Sequence, residues 1–166
     1  DEYCFESWII LNIQIFATRR CHLRCRYCPI VKGDADMPLA TALKAARFLL
    51  GHRNHHLRLD FGGGEPLLNF DVVRETVEYA EKLAAEKGKE LSFYMVTNGV
   101  ELDADKLAWM GRRKFLLELS LDGDRDTHNR FKIAHARGLG VRGREQPPVA
   151  ALLGQDLERA TDGLFR

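Results

Sequence analysis

At 166 residues the chain is long enough for one domain of ordinary size with a real core. Its 25 basic and 24 acidic side chains nearly cancel, giving a formal net charge of +1, which argues against a basic nucleic-acid surface and against an acidic tail. No apolar run approaches the roughly 20 residues of a membrane helix, and no basic-then-apolar secretion signal opens the chain, so neither nucleic acid nor membrane is an expected partner.

In chain order the pattern is strand, then helix, repeated. Ile9 to Phe16 alternates Ile9, Leu11, Ile13 and Ile15 with Asn12 and Gln14, the period of a strand. Pro38 to Leu50 carries Leu39, Leu43, Ala46 and Leu50 at helical spacing. Leu57, Leu59 and Phe61 alternate with Arg58 and Asp60 in a second strand. Asp71 is a suitable cap for the next helix, with Val73, Val77, Ala80 and Ala84 on its apolar face and Gly88 at its end. Leu91 to Thr97 predicts a third strand, and Asp103 caps a short helix that stops near Gly111. Phe115 to Leu121 is the fourth strand, with Glu118 and Ser120 opposite its leucines.

Strands separated by helices imply a parallel α/β sheet. Such sheets are normally apolar on both faces, yet one parity here keeps Asn12, Gln14, Asp60, Glu118 and Ser120. A curved sheet with helices outside and a ligand inside explains the pattern; an open sheet with one wet edge is the alternative. After about Lys132 the rhythm stops. Residues 133–166 are rich in Gly, Arg, Ala and Pro and offer only one weak helix, Leu152 to Leu164. This irregular tail is read as a frameshifted or weakly ordered end, leaving the fourth strand an open edge. The chain also begins at Asp1 rather than Met, as a piece cut from a longer protein does.

The chemistry concentrates in Cys21-His-Leu-Arg-Cys25-Arg-Tyr-Cys28, directly after the first strand. Cysteines so close suit a metal better than a disulfide framework, which predicts a reducing, cytoplasmic setting. Three thiolates in one loop can hold three irons of a [4Fe–4S] cube and leave the fourth iron open, as a catalytic metal site requires. The alternative is a zinc site completed by His22 or Cys4. Gly62-Gly63-Gly64-Glu65-Pro66 follows the second strand, Thr97-Asn98-Gly99 the third, and Ser120-Leu121-Asp122-Gly123 the fourth, with His128-Asn129-Arg130 just beyond. All four motifs sit at C-terminal strand ends, where parallel α/β folds gather active sites. The glycines let backbone approach a ligand, or simply make a tight turn.

The cysteine spacing, with Tyr27 before the third cysteine, resembles the signature of the radical S-adenosylmethionine (SAM) superfamily. The other motifs resemble the branch of SPASM-type peptide maturases and anaerobic sulfatase-maturating enzymes. The likeness covers about residues 8–132. It implies a partial (β/α) barrel of about four βα units over residues 1–132, where the family usually has six strands and this branch adds a domain with further clusters. Neither the last two strands nor further ligand cysteines can be found in the sequence. It implies a [4Fe–4S] cluster on Cys21, Cys25 and Cys28, with SAM chelated to the open iron. Gly63, Gly64 and Glu65 would take the amino end of SAM, Tyr27 would lie near the adenine, and Ser120 would face the ribose. The implied reaction is reductive cleavage of SAM to a 5′-deoxyadenosyl radical, fed by an external one-electron reductant and used on a peptide or protein. A small-molecule substrate, or a truncated product that binds a cluster but catalyses nothing, are the alternatives. No residue stands out as the catalytic partner of the radical.

Other residues have plainer readings. Arg19, Arg20, Arg24 and Arg26 favour an electron-rich cluster or are solvated loop charges. His52, His55 and His56 are surface residues, Cys4 is a spare thiol, and Trp109 and Met110 are packing. Lys132 stands where related maturases often carry arginine, and Asn129 where they carry aspartate.

Overall fold

A computed structural model describes residues 10–133 of the chain. Four parallel strands, β1 (Leu11–Thr18), β2 (His56–Gly63), β3 (Glu90–Thr97) and β4 (Phe115–Leu119), lie side by side in chain order. Parallel neighbours cannot be joined by a tight turn, so a helix returns the chain each time. These helices are α1 (Leu39–Leu50), α2 (Phe70–Glu86) and α3 (Ala104–Gly111), and α4 (Arg125–Phe131) follows β4. The α/β alternation is that of a partial barrel. Cys4, the weak helix at 152–164 and nearly all of the tail lie outside the described residues.

Apolar parity decides which face is covered. Ile15, Leu57, Leu59, Phe61, Phe93 and Met95 meet Ala46, Leu49 and Leu50 of α1 and Val73, Val77, Ala80 and Ala84 of α2, all buried. The buried residues of α1 are Ala42, Ala46, Leu49 and Leu50, so Ala46 and Leu50 of the predicted stripe are covered while Leu39 and Leu43 are only partly so. Small alanines on the stripe let the helix axis approach the sheet. Trp109 packs against Phe70 and Phe115 with ring centroids 5.4 and 5.7 Å apart, and Met110 is buried, as packing residues should be.

The opposite parity mixes Phe16, Val96 and Leu116 with polar side chains, and Asn12, Arg58, Asp60, Tyr94 and Glu118 link all four strands across it. Asn12 donates to Asp60 at 2.6 Å, and Arg58 grips the same carboxylate through Nε at 2.6 Å and Nη2 at 3.1 Å. The Arg58 guanidinium lies 5.2 Å from the centre of the Tyr94 ring, whose hydroxyl donates to Glu118. A nearly buried carboxylate such as Asp60 is tolerable only with such partners.

Several boundaries differ from the sequence reading: β4 ends at Leu119 rather than Leu121, and Leu121 is exposed beyond the last pair with β3, Thr97 with Leu119. β1 continues to Thr18 because Thr18 pairs with Gly63 across a local irregularity. α2 begins after Asn69 rather than at Asp71, because a 3₁₀ turn over Pro66–Asn69 leads straight into the helix. Asp71 sits instead in the first turn, 2.8 Å from Arg74. α4 is an additional helix, capped by Asp124 accepting from the Thr127 N–H at 2.9 Å.

Candidate functional site

The strand ends converge by register. Thr18 lies opposite Gly63, and Thr97 lies opposite Leu119, with the Ser120 N–H bonded to the Thr97 carbonyl at 2.9 Å. The loop that leaves β1 carries the three cysteines and is closed at its base. Arg19 N–H donates to the Ala35 carbonyl at 2.8 Å and Met37 N–H to the Ala17 carbonyl at 2.9 Å. Asp36 accepts from the Thr18 hydroxyl at 2.5 Å and from Arg20 Nε at 2.8 Å, and Arg20 Nη2 also reaches the Leu68 carbonyl at 2.7 Å. Burial works against a charged Asp36, but the Arg20 and Thr18 hydrogen bonds and the Arg20 charge outweigh it and hold its carboxyl below the ordinary value. Arg20 therefore belongs to the loop base, and the Arg19 side chain is spent on the Val31 carbonyl at 3.0 Å.

Cys21, Cys25 and Cys28 are all free and half-buried. Burial pushes the Cys21 thiol up, against the pull of the Leu23 N–H, the Lys32 charge and the Asn98 amide. Cys25 is likewise pushed up by burial, with the Lys132 charge opposing. The sulfurs have donors aimed at them: Leu23 N–H at 3.4 Å and Asn98 Nδ2 at 3.6 Å on Cys21, and Lys32 Nζ at 3.2 Å on Cys28. Neither Asn98 nor Lys32 was singled out by sequence as a sulfur partner. Among the described residues no group of three or more His, Cys, Asp or Glu side chains is gathered as one metal ion demands. A zinc ion draws four donors to within about 2.0–2.3 Å of one centre, whereas a cube takes each thiolate on a different iron. Three cysteines in one loop are a donor set of the kind such a cube takes. His22 Nε2 lies 2.9 Å from Glu101, and its Nδ1 is buried without a hydrogen-bond partner among the described residues.

The glycine run serves the chain itself. Gly63 has φ +114°, and a Cβ there would lie 2.4 Å from the Thr18 carbonyl oxygen. A Cβ on Gly64 would lie 2.0 Å from the Arg20 carbonyl oxygen. The close approach is thus to the backbone of the cysteine loop, sealed by Gly64 N–H to the Thr18 carbonyl at 2.7 Å and Glu65 N–H to the Arg20 carbonyl at 2.8 Å. The Glu65 side chain is 0% exposed. Its carboxylate accepts from the Thr97 hydroxyl at 2.7 Å, the Asn98 N–H at 2.8 Å and the Leu67 N–H at 3.2 Å. Burial pushes its pKa up, against these bonds.

On the far side, Tyr27 is 57% exposed and its hydroxyl donates to Asp122 at 2.5 Å. Lys132 is nearly buried, its ammonium 2.5 Å from the Ser120 carbonyl and 3.7 Å from Asp122. Arg24 and Arg26 donate their main-chain N–H groups to the carbonyls of Ile133 and Phe131 at 2.8 and 3.0 Å. Cys21, Cys25, Cys28, Tyr27, Gly63, Gly64, Glu65 and Ser120 thus all lie at one end of the sheet.

By sequence, residues 15–139 match the Radical SAM superfamily. The chain belongs to that superfamily. Its members use an iron–sulfur cluster and SAM. The chain is 30% identical over 124 residues to the cysteine-type anaerobic sulfatase-maturating enzyme of Clostridium perfringens (strain ATCC 13124), covering 68% of the chain and 33% of that enzyme. It is 33% identical over 133 residues to the GTP 3′,8-cyclase of Moorella thermoacetica, covering 76% of the chain and 38% of that enzyme. The solved structure of native anSMEcpe with bound AdoMet and Cp18Cys peptide superposes with a TM-score of 0.68 at 26% identity, covering 76% of this chain and 35% of that one. This radical SAM chain therefore spans about a third of the length of these relatives. Among its described residues no helix is long and apolar enough to cross a membrane.

Proposed function

We propose that the chain is the cluster-binding and SAM-binding part of a radical SAM enzyme, with Cys21, Cys25 and Cys28 each on one iron of a [4Fe–4S] cluster. The observation that carries this reading is three free cysteines in one loop, sealed against a glycine turn at the C-terminal ends of parallel strands. The chemistry supplied by the cluster and SAM, when bound, is one-electron cleavage of the sulfonium to a 5′-deoxyadenosyl radical that takes hydrogen from a substrate.

The chain's own residues bind and orient. Three thiolates leave one iron without a protein ligand, and the Leu23, Asn98 and Lys32 donors offset thiolate charge. The main chain of Gly63, Gly64 and Glu65 is read as the seat of the amino end of SAM, Ser120 as a neighbour of the ribose and Tyr27 of the adenine. The Tyr27 hydroxyl bond to Asp122 supports the last of these, since it keeps the ring beside the end of β4. An external one-electron reductant is part of the reading.

A peptide or protein substrate is the leading choice, supported by likeness to the sulfatase-maturating enzyme and to a neighbour solved with a peptide. A small-molecule substrate is favoured by one observation, the comparable identity to GTP 3′,8-cyclase. Anaerobically reconstituted chain, given dithionite and SAM, should release 5′-deoxyadenosine, and a cysteine-containing peptide should raise the yield where GTP does not. A complete cluster with no SAM cleavage would refute the activity, and stimulation by GTP alone would reverse the choice of substrate.

A further inference from the structure

The Glu65 carboxylate is fully buried, yet both its oxygens are taken by donors from this chain. Oε1 accepts from the Thr97 hydroxyl at 2.7 Å and the Leu67 N–H at 3.2 Å, and Oε2 accepts from the Asn98 N–H at 2.8 Å. These bonds brace the turn after β3. Within that turn the Thr97 hydroxyl also accepts from the Gly99 N–H at 3.0 Å, and Asn98 Oδ1 accepts from the Val100 N–H at 2.9 Å. With its oxygen so occupied, the Asn98 amide can turn only its NH₂ outward, and Nδ2 meets Cys21 Sγ at 3.6 Å across 77 residues of sequence.

We infer that Glu65 is a positioning residue that acts through Asn98: it fixes the turn so that the Asn98 amide donates to the Cys21 thiolate and raises the reduction potential of the cluster. The inference rests on the reading of the cysteines as cluster ligands. The sign follows from charge. Reduction adds an electron to the cluster and its thiolates, and a hydrogen-bond donor stabilises the more negative state. Three of the roughly four lone-pair sites of the Glu65 carboxylate are thus taken by donors of this chain, two on Oε1 and one on Oε2.

The test is a redox titration of the full chain, reconstituted anaerobically and followed by electron paramagnetic resonance without SAM. Asn98→Ala should keep its iron and sulfide and shift the midpoint to more negative potential. Thr97→Val, which removes a Glu65 donor and leaves the Glu65 charge in place, should shift it in the same direction by less. The double variant should match Asn98→Ala alone, since residues acting in series are not additive. Asp103→Ala, which removes the α3 cap away from the loop, should leave the potential unchanged. If Thr97→Val fails to take up iron, Thr97→Ala is read instead with the same expectation. If Asn98→Ala fails, Asn98→Ser, whose uncharged hydroxyl can still accept from the Val100 N–H, replaces it. A full cluster with an unmoved potential in the Asn98 variant, or shifts that add in the double variant, would overturn the inference. Failure of the unsubstituted chain to form any cluster would overturn the reading beneath it.

Discussion

The Tyr27 hydroxyl donates to the Asp122 carboxylate at 2.5 Å, joining residues 95 apart in sequence. The bond is one of several that strap the segment after β4 to the cysteine loop. Asp122 also lies 3.7 Å from the Lys132 ammonium, and the main chain of Arg24 and Arg26 bonds to that of Ile133 and Phe131. α4 therefore returns the chain to the loop rather than ending the sheet.

Tyr27→Phe keeps the ring and removes the bond. A hydrogen bond to a charged but partly solvated acceptor contributes about 1 kcal/mol, so the chain should lose roughly that in urea unfolding. The amides of Arg24 and Arg26 should exchange faster with solvent, because the strap holds their partners. Unchanged exchange at both amides would show that the phenol is not part of the strap.

Gly64→Ala should abolish cluster uptake, not merely SAM binding. The new Cβ would press on the Arg20 carbonyl, which is rigid backbone in the loop that carries the cysteines. Gly111→Ala is the contrast, because nothing lies within 4 Å of its Cβ at the end of α3. It should be neutral or stabilise by up to about 1 kcal/mol. Iron and sulfide content of the two variants measures the difference, and a fully loaded Gly64→Ala would contradict the packing described.

Asp36 makes the loop base sensitive to acid. Its folded-state pKa lies below the ordinary carboxylate value, so ionised Asp36 contributes stability that is present above about pH 4 and drains as pH falls through the lower folded value. Asp36→Asn should therefore be less stable at neutral pH, and the two unfolding curves should converge in acid. Curves that stay parallel down to pH ~2 would remove Asp36 from the loop base.

The fold was legible wherever burial imposed a period. The strands announce themselves through residues such as Leu57, Leu59 and Phe61, which alternate because only one face of the sheet is covered by helices. α4 was not legible, because Arg125–Phe131 has no apolar stripe and only its Asp124 cap to mark it. In the site, the cysteines are visible from spacing alone. Lys32 is not, since it is an ordinary polar residue until folding brings it to a sulfur, and Asn98 shows only as part of Thr97-Asn98-Gly99, without its donor role. Gly64 illustrates the opposite case: sequence indicates a close approach, but not that the approaching group is the Arg20 carbonyl of the same chain.

Anaerobic reconstitution with iron and sulfide, followed by analysis of both elements, bears most directly on the proposal that Cys21, Cys25 and Cys28 hold a [4Fe–4S] cluster. The chain should retain about four irons and four sulfides, and alanine at any one of the three cysteines should abolish retention. Stoichiometric zinc without sulfide, or a cluster that survives loss of one of these cysteines, would contradict it.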